Sequence, residues 1–147
     1  MNADAPFELL AAAVRRHGSP LWAYDARTII DRIEKLRGFD TVRYAQKANP
    51  NLHILRLMRG RGVVLDAVSW GEVERAFAAG ASVDGDPAGV VLTCDLLDQT
   101  TLARVIESRI EVNVGSIDML RQLGERSPGH RVWLRINPGF GHGHSRK

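Results

Sequence analysis

The sequence predicts an α/β protein built on a parallel sheet, and three observations carry that expectation. Short apolar runs recur from Thr41 onward, as in Val63-Val64-Leu65-Asp66-Ala67-Val68 and Gly89-Val90-Val91-Leu92-Thr93-Cys94. Segments of about ten residues with apolar positions at helical spacing separate them. Near-continuous apolar strands between helices mean a sheet covered on both faces, joined by right-handed β-α-β crossovers. Finally, each strand ends in a polar residue: Lys47, Asp66, Asp95, Asn113, then Arg135 and Asn137. Polar groups gathered on one rim above apolar strands give the layout of a parallel-barrel active site. Polar residues also mark where strands surface into loops. That accounts well for Asp95 and Asn113, and less well for Lys47, Asp66 and Arg135.

Phe7–His17 carries Phe7, Leu10 and Val14 at helical spacing, with Gly18 as a stop. Leu21-Trp22-Ala23-Tyr24 follows Ser19-Pro20 and reads as a brief strand. Asp25 caps a helix whose Ile29, Ile33 and Leu36 form one stripe, closed by Gly38. Residues 1–40 thus form an amino-terminal helix–strand–helix segment, and 41–147 the regular β/α part. The strand opening at Thr41 alternates, with Arg43, Ala45 and Lys47 on one face and Val42, Tyr44 and Gln46 on the other. Lys47 is therefore expected at its carboxyl end. Asn49-Pro50 serves as cap and first turn of a helix carrying Leu52, Leu55 and Met58, which ends near Gly60-Arg61-Gly62. Val63–Val68 is the second strand, running into Ser69-Trp70-Gly71-Glu72, a capping box whose helix ends at Gly80. Gly89–Cys94 is the third strand and Asp98–Arg109 the next helix. Glu111–Gly115 is the fourth strand, with Ser116 capping Ile117–Glu125. Pro128-Gly129 then turns into the fifth strand, Arg131–Asn137.

The 147 residues, 44% hydrophobic and 25% charged, match an ordinary globular domain. Net charge is +3, but the arginines are dispersed. Arg56, Arg59 and Arg61 come nearest to a patch and fall on one helix and its end, so no concentrated stripe points to nucleic acid or a membrane surface. No apolar run approaches the ~20 residues of a membrane span, and the first residues lack the basic-then-apolar pattern of a signal peptide. One cysteine, Cys94, excludes an internal disulfide and fits a reducing cytoplasm; its neighbours Val91-Leu92-Thr93 suggest a packed core thiol.

Of 20 basic residues only Lys35, Lys47 and Lys147 are lysines. Arginine stays protonated, whereas a desolvated lysine can act as a nucleophile or Schiff-base partner. A strand-end lysine can also simply snorkel to solvent or pair with a carboxylate. His142 and His144 without further ligands are weak evidence for a metal. Gly139-x-Gly141-x-Gly143 lacks the spacing and following helix of a dinucleotide loop.

Tyr44-Ala45-Gln46-Lys47-Ala48-Asn49 resembles the Tyr-Ala-x-Lys-Ala-Asn signature of the pyridoxal-phosphate decarboxylases with an alanine-racemase-like barrel, known as fold-type III. Leu55–Arg59, Val68–Ala76 and Leu134–Ser145 are similar to the same family. The Gly-Phe-Gly-His-Gly-His run within the last is peculiar to the branch acting on meso-diaminopimelate. The resemblance implies a partial (β/α)8 TIM barrel of about five units, where a complete one needs ~250 residues. It implies that the chain is the amino-terminal part of a longer enzyme, the remaining barrel and a carboxyl-terminal β domain lying beyond residue 147. In the family the signature lysine carries the pyridoxal phosphate. Lys47 is thus the implied catalytic and cofactor-binding residue, with Ala45, Asp66 and Arg135 lining or approaching the same site. For Asp66 and Arg135 a rim salt bridge is the competing reading. The family's phosphate loop, ring-nitrogen partner, stacking histidine, substrate-binding residues and partner-donated cysteine fall outside the matched stretch. The implied reaction is decarboxylation of an amino acid, meso-diaminopimelate to L-lysine, in a cytoplasmic homodimer with a shared active site. A decarboxylase of ornithine, arginine or carboxynorspermidine, or a non-catalytic pyridoxal-phosphate carrier, stays open.

Overall fold

The structure is a computed structural model that describes residues 7–139. The chain divides into two compact units, Met1–Gly38 and Phe39–Lys147. The histidine-rich run after Gly139 lies outside the described residues, and so do His142 and His144.

The first unit holds α1 (Phe7–His17) and α2 (Ala26–Glu34). Helix α1 has Glu8 in its first turn and Arg15, Arg16 and His17 in its last, the charge order its dipole favours. Asp25 caps α2, accepting from the Arg27 backbone N–H at 2.9 Å and the Thr28 hydroxyl at 2.7 Å. These two hydrogen bonds, the Thr28 one foremost, hold its carboxyl below the ordinary carboxylate range. The strand expected at Leu21–Tyr24 does not form, and the two helices are joined by irregular chain. A strand exists through ladder bonds to a neighbour, and the sheet among the described residues is built from the second unit.

That sheet contains β1 (Arg43–Ala45), β2 (Val64–Ala67), β3 (Val90–Thr93), β4 (Glu111–Val114) and β5 (Val132–Leu134), paired in chain order. Every neighbouring pair is parallel. The crossovers carry α3 (Leu52–Arg59), α4 (Trp70–Ala78), α5 (Gln99–Ser108) and α6 (Ile117–Arg126). Local chemistry sets where each helix starts. Pro50 holds Asn49 extended, at φ −161° and ψ 104°. The α3 cap consequently moves to Asn51, whose Oδ1 accepts from the His53 N–H at 2.9 Å. This corrects the expected Asn49-Pro50 start. Ser69 caps α4 and accepts from the Glu72 N–H at 3.4 Å, while Glu72 Oε2 reaches back to the Val68 N–H at 2.9 Å. The capping box is thus shifted by one residue. Asp98 caps α5 through the Thr101 N–H at 2.7 Å, and Ser116 caps α6 through the Met119 N–H at 3.2 Å.

Alternation along the strands separates two faces. Leu65, Ala67, Val90, Leu92, Val112 and Val114 pack with Leu55, Val73, Leu102, Val105, Met119 and Leu123 of the helices into one buried core. The opposite face carries Arg43, Ala45, Asp66, Val91, Thr93, Glu111, Asn113 and Trp133, which follow one another across the ladder register. Gly89 opens β3 where a Cβ would stand 2.8 Å from the Arg59 guanidinium and 2.9 Å from the Ser82 nitrogen, so only glycine fits.

The sheet curls. The Arg43 guanidinium of β1 rests 4.3 Å from the ring centroid of Trp133 on β5. In a flat sheet four strand spacings would hold these positions roughly 19 Å apart, too far for two side chains facing the same way to stack. The face carrying Asp66, Thr93 and Glu111 is therefore the concave one, and the five units form a segment of a parallel (β/α) barrel.

Around β5 and α6 the surface is apolar: Ile117, Leu134 and Ile136 are 68%, 64% and 82% exposed. Among the described residues strand β5 also has no neighbour on its far side. Open strand edges template association, and each ~100 Å² of apolar surface left uncovered forgoes about 2.5 kcal/mol, a large share of a typical ~5–15 kcal/mol stability. The isolated 147-residue chain is expected to self-associate or bind hydrophobic dye, without a cooperative melt. Size exclusion and calorimetry check this, and a sharp melt of a monomer would contradict it.

Candidate active site

The carboxyl ends of the strands converge on one rim, and the segment after β1 supplies its amine. Strand β1 stops at Ala45, and Gln46–Ala48 form a single turn of 3-10 helix. Lys47 therefore sits just past the strand, not on it as the alternation suggested. The turn is closed by the Tyr44 hydroxyl, which donates to the Asn49 carbonyl at 3.3 Å. Gln46 is fully buried, and neither its amide nitrogen nor its oxygen meets a hydrogen-bond partner among the described residues. Lys47 is exposed, and among the described residues no carboxylate pairs with it.

A cavity of about 330 Å³ opens beside Lys47, lined by Lys47, Val68, Thr93, Cys94, Asp95 and Arg135. A second, of about 190 Å³, adjoins it and shares Asp95 and Arg135. Every lining residue follows or ends a strand, so the two hollows trace one rim from β1 to β5. The volume of the first falls in the range of small-molecule sites. Arg135 follows β5 and lies over Gly115, where a Cβ would come within 4.0 Å of its Cδ. Its guanidinium donates to Asp95 Oδ1 at 3.3 Å. Both partners are exposed, and such a pair contributes at most about 1 kcal/mol.

Ala45 and Asp66 are partners in the β1–β2 ladder, on the concave face and outside the cavity lining. The Asp66 Oδ1 atom is buried, with no hydrogen-bond partner among the described residues. The structure thus brings Lys47 and Arg135 to one cavity and sets Ala45 and Asp66 side by side, two residues before Lys47 and Val68 along their strands.

Sequence reasoning missed the concave layer itself. Asn113 Nδ2 donates to Thr93 Oγ1 at 2.5 Å, and Trp133 Nε1 donates to Glu111 Oε2 at 2.6 Å. Arg131 Nε stands 3.2 Å from the other Glu111 oxygen, close enough to neutralise it though not aligned as a hydrogen bond. The signal was present: these residues occupy alternate positions of strands whose other positions are apolar. Cys94 also differs from the expected core thiol. It packs partly against the core and partly lines the cavity. Burial pushes its thiol pKa up.

A parallel barrel segment presenting an unpaired lysine at its rim defines the class, and comparison with known proteins agrees. A sequence profile described as "Pyridoxal-dependent decarboxylase, pyridoxal binding domain" matches residues 27–147. The chain belongs to that family. It is 64% identical over 138 residues to a protein of Streptomyces coelicolor named diaminopimelate decarboxylase, covering 94% of this chain and 31% of that one. To the Escherichia coli K12 protein of the same name it is 56% identical over 146 residues, covering 99% and 35%. A crystal structure of diaminopimelate decarboxylase superposes with a TM-score of 0.88 at 58% identity, covering 95% of this chain and 33% of that chain. The chain spans about a third of the length of these relatives. No helix among the described residues is long and apolar enough to cross a membrane.

The raised thiol pKa has a direct readout. Alkylation of Cys94 in the folded protein is expected to accelerate only at a pH above the midpoint of a free cysteine. Rate against pH with iodoacetamide measures it, and a midpoint below that of free cysteine contradicts burial as the governing effect.

Proposed function

We propose that this chain is the cofactor-tethering part of a pyridoxal-phosphate-dependent decarboxylase that converts meso-diaminopimelate to L-lysine and carbon dioxide. The observation that carries the reading is the Lys47 amine at a rim cavity with no carboxylate partner among the described residues, in a chain of the pyridoxal-binding family. The substrate follows from identities above 50%, over nearly the whole chain, to proteins named for it.

The residues present fit the cofactor. Lys47 would hold it covalently, since an amine condenses with an aldehyde and a guanidinium does not. Arg135 would set a fixed cation against its anionic oxygens. Ala45, with the smallest side chain that still carries a Cβ, leaves room beside Asp66. The half-buried Asp66 carboxylate, whose Oδ1 has no hydrogen-bond partner among the described residues, would favour the protonated, positive form of a group placed over it. When bound, pyridoxal phosphate supplies the electron sink for the electrons left behind by departing carbon dioxide. We further place the enzyme in the cytoplasm as a homodimer with a shared site. The single cysteine supports the compartment, and the resemblance to the family supports the dimer.

Two measurements test this in the chain extended to the length of its relatives. Borohydride reduction with pyridoxal phosphate, followed by peptide mass mapping, is expected to place the phosphopyridoxyl group on Lys47. Lys47→Arg should abolish the label and the visible absorbance, whereas a label on Lys35 alone would refute the assignment. Separately, carbon dioxide release from meso-diaminopimelate, ornithine and arginine is compared side by side. The first is expected to dominate by at least about 100-fold, a difference of roughly 2.7 kcal/mol in transition-state binding. A preference for ornithine would refute the substrate.

A further inference from the structure

We propose that Thr93 and Asn113 form a directional relay that aims the Thr93 hydroxyl proton into the Lys47 cavity, where it binds an anionic oxygen of the ligand. The inference rests on the proposed function, because it takes that cavity to be the ligand site. Thr93 and Asn113 are ladder partners on the concave face of β3 and β4. Asn113 Nδ2 donates to Thr93 Oγ1 at 2.5 Å. An amide nitrogen can only donate, so this contact occupies a lone pair of the hydroxyl and leaves its proton directed elsewhere. Among the described residues no protein atom accepts that proton, and the half-buried Thr93 stands in the cavity wall, so the cavity is where its acceptor must lie. Thr93 lines the cavity together with Lys47 and Arg135. Asp95, paired with Arg135, lines it too, and the two cations against one carboxylate leave a net positive wall that favours a ligand bearing anionic oxygens, the acceptors to which a hydroxyl bonds most strongly. The β-branched threonine is stiff at χ1, and its Oγ1 is pinned from the Asn113 side. The hydroxyl is thus a third, preset donor at the rim, in a position no charged residue marks.

Both pyridoxal phosphate and an amino-acid substrate carry anionic oxygens, and the experiment separates them. In the extended chain, pyridoxal-phosphate affinity is measured by absorbance titration of the apoprotein, and KM for meso-diaminopimelate on the loaded protein. Thr93→Ser is expected to retain both values. Thr93→Val keeps the shape and removes the donor. About 10-fold weaker cofactor binding then assigns the acceptor to the cofactor, and about 10-fold higher KM at unchanged cofactor affinity assigns it to the substrate. Asn113→Asp replaces the donor by an acceptor of the same shape and draws the Thr93 proton away from the cavity. It should reproduce the Thr93→Val loss, and the double variant should be no worse than either single one. Neither value moving in Thr93→Val would overturn the proposal. Losses that multiply in the double variant would also overturn it, because they would place the Asn113→Asp effect in its added charge. Borohydride labelling of every variant separates this inference from the one beneath it. Labelled Lys47 with unchanged affinities overturns the relay alone, while an unlabelled wild-type Lys47 overturns both.

Discussion

Ladder register is the constraint on which the rest of the second unit depends. Side chains alternate across a strand, so a slip of one residue would exchange the faces completely. It would turn Leu65, Leu92 and Val112 to the concave side and drive Asp66, Glu111 and Asn113 among the helix side chains of the core. Each large apolar residue removed from water contributes about 1.5–3 kcal/mol, whereas each carboxylate placed among apolar groups opposes folding by several kcal/mol. The register therefore needs no help from the concave face. Once the core fixes it, the rim positions of Val68, Thr93 and Asp95 follow from counting by twos.

Curvature then turns a linear order into a site. Lys47 and Arg135 follow strands four places apart in the sheet, yet both line one cavity. The concave network that accompanies this curl has its own logic. Glu111 is nearly buried, and an uncompensated carboxylate there would be strongly unfavourable. It is offset by the Trp133 indole N–H and by Arg131, while the outer face of the same indole carries Arg43. One glutamate and one tryptophan thus link β4 to β5 and, through Arg43, to β1. Charge compensation and curvature are met by the same contacts.

Most of this was legible in the sequence because it depends on local pattern. Alternation from Thr41 and the apolar runs after it located all five strands and the order of the helices between them, and Asp25, Ser69 and Ser116 were identified as caps from residue type and spacing. What failed needed a neighbour to be seen. Leu21–Tyr24 has strand-like composition and no ladder partner. The fifth strand, expected over Arg131–Asn137, is paired only over Val132–Leu134. The α3 cap moved because Pro50 constrains the residue before it. At the site, Lys47 and Arg135 were named from family resemblance and stand at one cavity. Asn113 was read as an ordinary strand-end residue and Thr93 was not singled out, because their significance lies in the bond between them, twenty positions apart in the chain.

The displacement of Lys47 from the strand changes what holds it. A lysine within the ladder would have its direction fixed by the pleat. In a 3-10 turn the direction is fixed instead by whatever clamps the turn, and three features do so. Tyr44 closes it from the strand side, Pro50 enforces an extended Asn49 at its exit, and the wholly buried Gln46 turns its neighbour outward. Gln46 achieves this with both amide atoms unpaired among the described residues, although an apolar side chain of similar size would avoid that penalty. Lying outside the ladder, the turn holds its direction independently of the register of the sheet beneath. The strand supplies the place, and the clamped turn supplies the direction in which the Lys47 amine meets the cavity.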